Sequence, residues 1–405
     1  MKKIITDKQK IDELLEKGVE KIYPSKDEFR KRLLKGERIR LYCGYDPTAS
    51  SLHIGNAITI NKLAQFQALG HEVIFLVGSF TATIGDPTDK ASARKKMTRE
   101  EVDENSKLYK EQASAYLDFG GDNPAQVMNN STWNDKLSFK DLIELSAHFT
   151  VQQMIQRDMF QKRLQEEKPI YLHEFLYPLA QAYDSVSMDV DLEIGGNDQM
   201  FNMMCGRDLM KSLGMRDKFV MTLKILADEQ GKKMGKSEGN AVFLSNTPEE
   251  MYGIIMSWSD GFIAPAFELA TKKTMAEVKE IKKKLGEGVN PRDMKMKLAF
   301  EIVSIVHGEK RAREAEEYFV RIVQKKEIPE EIAEKKLKIK NWKLVDLLAE
   351  TELTSSKGEA RRMIQQNAVR VNGKVVADAE MEIEITKEGV LLQKGKRGFV
   401  RVVLK

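Results

Sequence analysis

The stretch from Tyr42 to Asn56, YCGYDPTASSLHIGN, most constrains the fold because it joins a predicted strand to a predicted helix. The apolar, β-forming run Ile39–Cys43 predicts the strand, which a glycine, an Asp-Pro pair and two serines then end. Apolar residues recur at helical spacing from near Leu52 until Gly70. The free backbone N–H groups at such a helix start suit a phosphate, so the stretch predicts a nucleotide site.

Three residues open this predicted helix. His53 and Asn56 share one face of its first turn, and Gly55 between them lets a ligand approach the backbone closely. The alternative interpretation is an ordinary βα turn in which His53 is a surface or capping residue. A second apolar run, Glu72–Val77, predicts a strand buried on both faces. Strand, helix and strand predict a right-handed βαβ unit, with ligands beyond the carboxyl ends of the strands.

Composition sets broad limits. A chain of 405 residues with 41% hydrophobic and 32% charged residues is typical of a soluble protein of two or three domains. Its two cysteines, Cys43 and Cys205, have no neighbouring cysteine at metal-ligand spacing, so we expect no structural metal and a reducing compartment, by default the cytoplasm. No apolar run approaches membrane-spanning length, so we expect neither export nor membrane insertion.

Two further blocks place polar residues where a ligand could meet them. The first follows the strand ending at Val77 and contains Asp86, which could hold an ammonium group or merely form an Asx-turn before Pro87. In the second, Tyr177, Gln181 and Asp184 lie along one face of a helix. Because their neighbours are apolar, we favour a polar pocket over a solvated stripe.

The rest of the first 245 residues repeats this pattern. Asp189–Ile194 predicts a strand, Gly195-Gly196 a turn, and Asn197-Asp198-Gln199 the start of another helix. After a strand at Val220–Leu223, the basic loop 231–240 carries two lysines three residues apart. Such a loop is usually only solvated, but here it could close on a polyphosphate and match the charge of leaving pyrophosphate.

Two of these motifs carry a family resemblance. HIGN at 53–56 and KMGKS at 233–237 resemble the HIGH and KMSKS signatures of the class I aminoacyl-tRNA synthetases. Asn56 and Gly235 depart from the signatures, which usually have His and Ser there; Asn56 remains a hydrogen-bond donor but cannot become an imidazolium. The remaining polar residues narrow the resemblance, over essentially the whole chain, to the bacterial tyrosyl-tRNA synthetase family: Tyr42, Asp86, Tyr177, Gln181, Asp184 and the run Gly195–Gln199.

The resemblance implies adenylation of tyrosine by ATP, with Mg²⁺ on the polyphosphate, followed by transfer to tRNA. It implies that Tyr42 and Asp184 bind the phenol. Further tyrosine-binding residues would be Asp86, Tyr177 and Gln181 at the ammonium group, with Gln199 near the carboxylate. ATP would be bound by Cys43, Gly44, Asp46, His53, Gly55, Asn56, Gly196, Asp198, Lys233, Met234, Lys236 and Ser237. The catalytic residues that stabilise the transition state would be His53, Asn56, Lys233 and Lys236.

The domain prediction follows the same resemblance. We expect an α/β fold with a Rossmann-like, parallel-sheet catalytic domain at 1–245, a helical anticodon-side domain at 246–327 and a linker at 328–342. The last part, 343–405, resembles a small α+β RNA-binding module of the αL type, with an Asn372-Gly373 hairpin. Its candidate tRNA-binding residues are Arg361, Arg362, Arg370 and Lys374.

On the sequence alone, two alternatives to this function remain open. One is the sister tryptophan enzyme, which Asp184 and Tyr42 disfavour because they suit a phenolic hydroxyl. The other is an RNA-binding relative that no longer charges tRNA, which the retained lysines of the basic loop disfavour. The resemblance also implies a homodimer, and the apolar side chains of segment 148–172 are the candidate interface: Phe149, Val151, Met154, Ile155 and Phe160. They could instead pack inside their own subunit.

Overall fold

A six-stranded sheet organises the first part of this computed structural model, which describes residues 3–88, 97–228, 230, 231, 234, 240–324, 332–395 and 398–405. The strands are β1 (Val19–Tyr23), β2 (Arg40–Tyr45), β3 (Glu72–Val77), β4 (Gln126–Asn129), β5 (Leu192–Gly196) and β6 (Phe219–Leu223). Their spatial order is β1-β6-β5-β2-β3-β4, and every pair is parallel except β1 with β6. The predicted α/β fold class is confirmed.

Helices surround this sheet. In chain order they are α1 (Lys8–Glu16), α2 (Lys26–Leu34), α3 (Ile54–Ala68), α4 (Thr81–Ile84), α5 (Arg99–Ser106), α6 (Tyr109–Ala113), α7 (Ser131–Asn134), α8 (Phe139–Ser146), α9 (Val151–Ile155), α10 (Asp158–Gln165), α11 (Leu172–Met188) and α12 (Met200–Ser212). The central strands are buried on both faces, as their unbroken apolar sequences predict: five of the six residues of β3 are buried. Tyr42 of β2 lies between Ile74 of β3 and Glu193 of β5, so its side chain belongs to the middle of the sheet.

Several element boundaries differ from the prediction. Strand β1 was not predicted from the sequence. The predicted turn at Gly195-Gly196 is wrong because both glycines lie within β5. That strand begins at Leu192 rather than Asp189, because Asp189 ends α11 in the left-handed conformation, with φ of 47°.

The predicted helices after residue 246 are present. They are α13 (Pro248–Met256), α14 (Ile263–Ala270), α15 (Met275–Gly286), α16 (Pro291–His307) and α17 (Glu309–Phe319), the last continued by a π-helical turn, Val320–Gln324. The Lys17 side chain at the end of α1 contacts the residue that follows α14: its Nζ donates to the carbonyl oxygen of Thr271 at 2.7 Å. Sheet and helices through Ala312 accordingly form one compact unit.

A second compact unit, Arg313–Lys405, contains its own sheets and core. Its strands are β7 (Glu334–Leu337), β8 (Asn341–Lys343), β9 (Val369–Val371), β10 (Lys374–Val375), β11 (Glu382–Glu384), β12 (Val390–Lys394) and β13 (Gly398–Leu404), with helices α18 (Leu344–Glu350) and α19 (Lys357–Gln365). One sheet runs β10-β9-β12-β13-β7, and β8 pairs with β11. The linker prediction for 328–342 is wrong over β7 and over Asn341 and Trp342 of β8.

This second unit has the small α+β architecture that the sequence predicts. Leu344 and Leu348 of α18 and Ile364 of α19 are fully buried against Leu392 and Val402 of the sheet. The predicted hairpin joins β9 to β10, with Asn372 and Gly373 both at positive φ, as a type I′ turn requires.

Candidate active site

A cavity of about 500 Å³ opens beyond the carboxyl ends of the parallel strands, between the starts of α3 and α12 and the middle of α11. Parallel sheets bind ligands at this edge. Each tyrosine-site candidate lines this cavity, and so does every nucleotide-site candidate within the described ranges: Tyr42, Cys43, Gly44, Asp46, His53, Gly55, Asn56, Asp86, Tyr177, Gln181, Asp184, Gly196, Asp198, Gln199 and Met234. Sequence segments almost 200 residues apart therefore form one site, while the roles assigned to these residues remain predictions.

Asp184 is the buried carboxylate of the cavity, with only 2% of its surface exposed. Its Oδ1 accepts hydrogen bonds from Trp133 Nε1 at 2.7 Å and Asn134 Nδ2 at 3.0 Å, and its Oδ2 accepts one from Asn130 Nδ2 at 3.1 Å. Burial raises the pKa of Asp184 to about 7, because these neutral donors only partly replace the lost hydration. A further donor from a ligand would favour its ionised form.

Tyr42 lies close to Asp184 and is equally buried. Its hydroxyl oxygen is 2.9 Å from Ser185 Oγ, and burial raises the pKa of the phenol far above its usual value. The Tyr42 hydroxyl therefore stays protonated and can both donate and accept a hydrogen bond. Together with the Asp184 carboxylate it forms a pair of groups suited to a second phenol.

A second group of polar side chains lies around Asp86. Asp86 Oδ1 accepts from the backbone N–H of Thr88 at 2.9 Å, so the Asx-turn considered from the sequence is present. Its Oδ2 nevertheless accepts from Gln199 Nε2 at 2.7 Å, and the side chain lines the cavity. The turn and the pocket are compatible, because the turn occupies one carboxylate oxygen only. Nearby, the Tyr177 hydroxyl donates to Asp46 Oδ2 at 2.8 Å.

The start of α3 forms the opposite wall. His53 is the N-cap residue, and its backbone N–H donates to Asn56 Oδ1 at 3.1 Å, which leaves the Asn56 amide nitrogen as the donor group. A Cβ on Gly55 would lie 2.7 Å from the His53 ring, so only glycine lets this imidazole lie against the helix start. The capping interpretation of His53 is thus correct for its backbone, while its side chain lines the cavity.

Most of the basic loop lies outside the described residues, and the part outside includes Lys233, Lys236 and Ser237. Met234 is described: it is buried, its backbone N–H donates to the carbonyl oxygen of Leu226 at 2.9 Å, and it borders the cavity. After the loop, the backbone of Val242 accepts from Ile54 N–H at 2.9 Å. The chain after the loop therefore lies against the α3 start.

The candidate RNA-binding residues lie on the second compact unit. Arg361 and Arg362 project from α19, and Arg370 and Lys374 belong to the β9–β10 hairpin; all four are exposed. Arg361 is 3.8 Å from Glu380, and Arg370 donates to the carbonyl oxygen of Gly373 at 3.2 Å. These contacts are at the surface, so the charges remain accessible to phosphate.

The residues that support the cavity were not predicted from the sequence. Asn130, Trp133 and Asn134 hold Asp184, whereas Glu193 and Lys218 lie next to Gln181 and Ser185. The only signal for Glu193 and Lys218 was a charge inside or beside an apolar strand run, which is uncommon for a fully buried position. Within the described ranges no group of three or more His, Cys, Asp or Glu side chains could hold a metal, and no helix is long and apolar enough to cross a membrane.

Comparison with known families agrees with this fold. Residues 34–324 match the family of class I tRNA synthetases for W and Y, which is more than half of the chain, so the chain belongs to that family. Residues 324–402 match the C-terminal domain described as tyrosine–tRNA ligase SYY-like. The tyrosine–tRNA ligase of Coxiella burnetii is 42% identical over 98% of this chain and 99% of its own length. That of Thermotoga maritima is 42% identical over 93% of this chain and 94% of its own length.

Solved structures support the fold independently. A C-terminally truncated mitochondrial tyrosyl-tRNA synthetase from Aspergillus nidulans aligns with a TM-score of 0.65 at 21% identity, covering 77% of this chain and 93% of its own. A tyrosyl-tRNA synthetase from Archaeoglobus fulgidus, solved with L-tyrosine, aligns with a TM-score of 0.60 at 22% identity, covering 76% of this chain and all of its own. At these identities the likeness concerns the fold alone.

Proposed function

We propose that this chain activates L-tyrosine with ATP to form tyrosyl-adenylate and pyrophosphate, and then transfers tyrosine to the 3′ end of its tRNA. It is thus an aminoacyl-tRNA ligase specific for tyrosine. The observation that carries the proposal is a single cavity with the Asp184–Tyr42 pair in its buried part and the start of α3 on its other wall. One wall offers partners for a phenol, and the other offers the His53 and Asn56 side chains at the positive end of a helix for a phosphate.

The tyrosine side of the cavity supplies a partner for each polar group of the substrate. Asp184 accepts a hydrogen bond from the phenolic hydroxyl, and Tyr42 forms a second hydrogen bond to the same oxygen. Asp86, Tyr177 and Gln181 bind the α-ammonium group, and Gln199 lies near the carboxylate. This assignment is supported by the burial of Asp184 and by the Asp86–Gln199 hydrogen bond, which ties the ammonium site to the carboxylate site.

The chemistry needs charge stabilisation rather than a general base. The tyrosine carboxylate is already ionised and attacks the α-phosphorus of MgATP, which enters as a substrate. Positioning and preorganised donors therefore supply the catalysis. His53 and Asn56 at the α3 start stabilise the developing phosphate charge, and Lys233 and Lys236 of the basic loop act with them. Cys43, Gly44, Asp46, Gly55, Gly196, Asp198, Met234 and Ser237 complete the ATP site.

The two ends of the tRNA are bound by different parts of the chain. Residues 1–245 perform the activation, the helices of 246–327 face the anticodon side, and the unit containing 343–405 binds tRNA through Arg361, Arg362, Arg370 and Lys374. The protein acts as a homodimer in the cytoplasm. Two free, buried cysteines, Cys43 and Cys205, support a reducing compartment, and an exposed apolar surface at 139–172 supports the dimer.

Exchange of labelled pyrophosphate into ATP tests the function directly. The unaltered chain should catalyse exchange with tyrosine and not without an amino acid, and tryptophan should not replace tyrosine. Exchange with tryptophan instead would assign the chain to the sister specificity. No exchange with either amino acid, together with specific tRNA binding, would indicate an RNA-binding relative that has lost the activation step.

A further inference from the structure

We propose that the buried ion pair Lys218–Glu193 is a positioning device that fixes which end of the Gln181 amide faces the substrate. The inference rests on the proposed role of Gln181 at the tyrosine ammonium group. Lys218, immediately before β6, has no exposed surface, and Glu193 in β5 is 2% exposed. Their Nζ and Oε2 atoms are hydrogen-bonded. The proposed chemistry assigns neither residue a role, and Glu193 lines the cavity. A buried ion pair is a weak source of stability, so its presence beside the cavity points to another role.

The amide of Gln181 has only one orientation beside this pair. Its Nε2 donates to Glu193 Oε1 at 2.9 Å. Because a carboxylate only accepts hydrogen bonds, the amide must present its nitrogen to Glu193, and its carbonyl oxygen is left for the cavity. An ammonium group only donates, so the carbonyl oxygen is the end of the amide that can bind it. Glu193 thereby sets the polarity of Gln181.

Lys218 in turn fixes Glu193. Its Nζ also donates to Ser185 Oγ at 2.8 Å, and that oxygen is 2.9 Å from the Tyr42 hydroxyl. The ion pair therefore reaches both ends of the tyrosine site, the ammonium end through Gln181 and the phenol end through Ser185. The Lys218 ammonium group therefore holds the Glu193 carboxylate in the place where its other oxygen accepts from Gln181.

A third element, α12, leaves room for the ammonium group of Lys218. Gly206 lies within α12, where glycine has no conformational advantage. A Cβ at this position would lie 2.5 Å from Lys218 Nζ and 2.7 Å from Ser185 Oγ. Helix α12 therefore lacks a side chain at the point where the Lys218–Glu193 pair and Ser185 meet.

The substitution Glu193→Gln tests the polarity argument. Lys218 would still need an acceptor, so the new amide would turn its oxygen to Lys218 and its nitrogen to Gln181. Gln181 would then reverse and present its own nitrogen to the substrate ammonium group. We expect the KM for tyrosine in pyrophosphate exchange to rise about 10- to 100-fold, the range for a lost hydrogen bond to a charged group. The KM for ATP should stay near its original value.

The double variant Glu193→Gln/Lys218→Met separates positioning from structural support. With no ammonium group to satisfy, the amide at position 193 can present its oxygen to Gln181 again, and the KM for tyrosine should fall back toward the original value. If the pair were merely structural, the double variant would be at least as impaired as the single one. The matched control is Glu174→Gln in the buried pair Arg163–Glu174, which does not line the cavity; it should lower the melting temperature without raising the KM for tyrosine.

Gly206→Ala provides a test that removes no charge. The added methyl group displaces Lys218 or Ser185, so the KM for tyrosine should rise severalfold while the KM for ATP stays constant. An unchanged KM for tyrosine in Glu193→Gln, or a double variant that is folded and shows no recovery, would overturn the proposal. The unaltered chain's own tyrosine-dependent exchange is measured first and tests the proposed function separately.

Discussion

At the scale of single residues, Asp184 combines two opposing requirements. Ligand recognition needs a carboxylate away from water, whereas an ionised carboxylate is costly in that place. Trp133, Asn130 and Asn134 each donate a hydrogen bond to it, yet its pKa is still raised to about 7. The Asp184 carboxyl therefore tends to hold its proton up to about pH 7. The phenol of a bound substrate completes its set of hydrogen-bond donors.

The first prediction is that Asp184 makes the ligand-free protein less stable as pH rises. The native carboxyl keeps its proton up to about pH 7, whereas the unfolded one loses it near pH 3.8. Native protein then binds more protons between these values, so its free energy of unfolding falls with rising pH. Relative to the unaltered protein, the free energy of unfolding of Asp184→Asn should rise by up to about 4 kcal/mol between pH 4 and pH 8.

Urea unfolding without tyrosine at several pH values measures this difference. Parallel pH profiles for the variant and the unaltered protein would contradict the assignment of the raised pKa to Asp184. The same variant should lose tyrosine activation far more than ATP binding, because the proposed site of the reacting phosphate is at the other wall of the cavity. Exchange assays with varied tyrosine and varied ATP separate the two effects.

The second prediction concerns His53, which lies at the α3 start rather than beside Asp184. Replacing it with Ala should slow formation of tyrosyl-adenylate by about 10² or more, because a donor to the charge developing at phosphate is lost. Tyrosine affinity should hardly change. Pre-steady-state measurement of the adenylate gives the rate, and a variant weakened only in tyrosine affinity would show that His53 belongs to a different subsite.

At the scale of elements, apolar runs and helix signals made most of the sheet domain predictable. The prediction for β3 is confirmed residue for residue, because a central parallel strand is continuously apolar. Strand β1, with the sequence VEKIY, was missed because it is a short edge strand with two exposed charged residues. Glu193 and Lys218 could not be paired from the sequence, because 25 residues and the whole of α12 separate them.

The third prediction tests how α3 is attached to α1. Lys62 of α3 is 3% exposed, and its Nζ donates to the carbonyl oxygens of Leu14 at 2.7 Å and Lys17 at 2.8 Å. Lys62→Met would leave both buried carbonyls without this donor. We expect the free energy of unfolding to fall by about 2 kcal/mol or more near pH 10. The matched control, Lys279→Met on the exposed face of α15, should stay within about 0.5 kcal/mol of the unaltered protein.

The pH dependence makes the Lys62 prediction specific. Burial lowers the native pKa of Lys62 to about 7, against 10.5 for the free side chain. Between these values the unfolded state binds more protons, so the unaltered protein loses stability as pH falls from about 10.5 toward 7. The deficit of Lys62→Met should therefore shrink over the same interval. A deficit that is constant with pH would show that Lys62 does not titrate in this way.

At the scale of the whole molecule, the segment 139–172 exposes several large apolar side chains. Val151 is 70% exposed and Leu172 83% exposed. The prediction from segment 148–172 was wrong for Met154 and Phe160, which are buried within their own chain, and Phe149 packs against the same cluster as Met154. The exposed set is larger and begins earlier: Phe139, Ile143, Val151, Leu164, Tyr171 and Leu172. A patch of this kind is typical of a subunit interface.

The fourth prediction is that this surface joins two copies of the chain. The double variant Val151→Glu/Leu172→Glu places two charges in each copy of an isologous interface, so the protein should sediment as a monomer at micromolar concentration. Leu213→Glu, which replaces an exposed apolar residue on the turn after α12, serves as the control and should leave the dimer intact. If the unaltered protein sediments as a monomer at the same concentration, this surface has another use.

The fifth prediction separates tRNA binding from activation. In the described part of the chain, the buried core cluster of the second compact unit lies between Leu337 and Val402, so ending the chain at Gln324 removes that cluster rather than dividing it. In the proposed function, adenylation uses only the cavity of the first unit. The shortened chain should therefore keep tyrosine-dependent pyrophosphate exchange close to that of the full chain, and its tRNA charging should fall by about 10² or more, because the contacts of the exposed arginines are lost.

A substituted full chain removes the charges without removing the domain. Replacing Arg361, Arg362 and Arg370 with Ala should weaken tRNA binding and also make it less dependent on salt, because fewer phosphates are neutralised and fewer counterions released. Three lost phosphate contacts should flatten the slope of log K against log salt concentration by about 2 to 3. If the last domain instead serves only as structural support, the shortened chain will lose thermal stability and exchange together. In that case the triple variant will keep the original salt slope, and the RNA-binding interpretation of these arginines will be wrong.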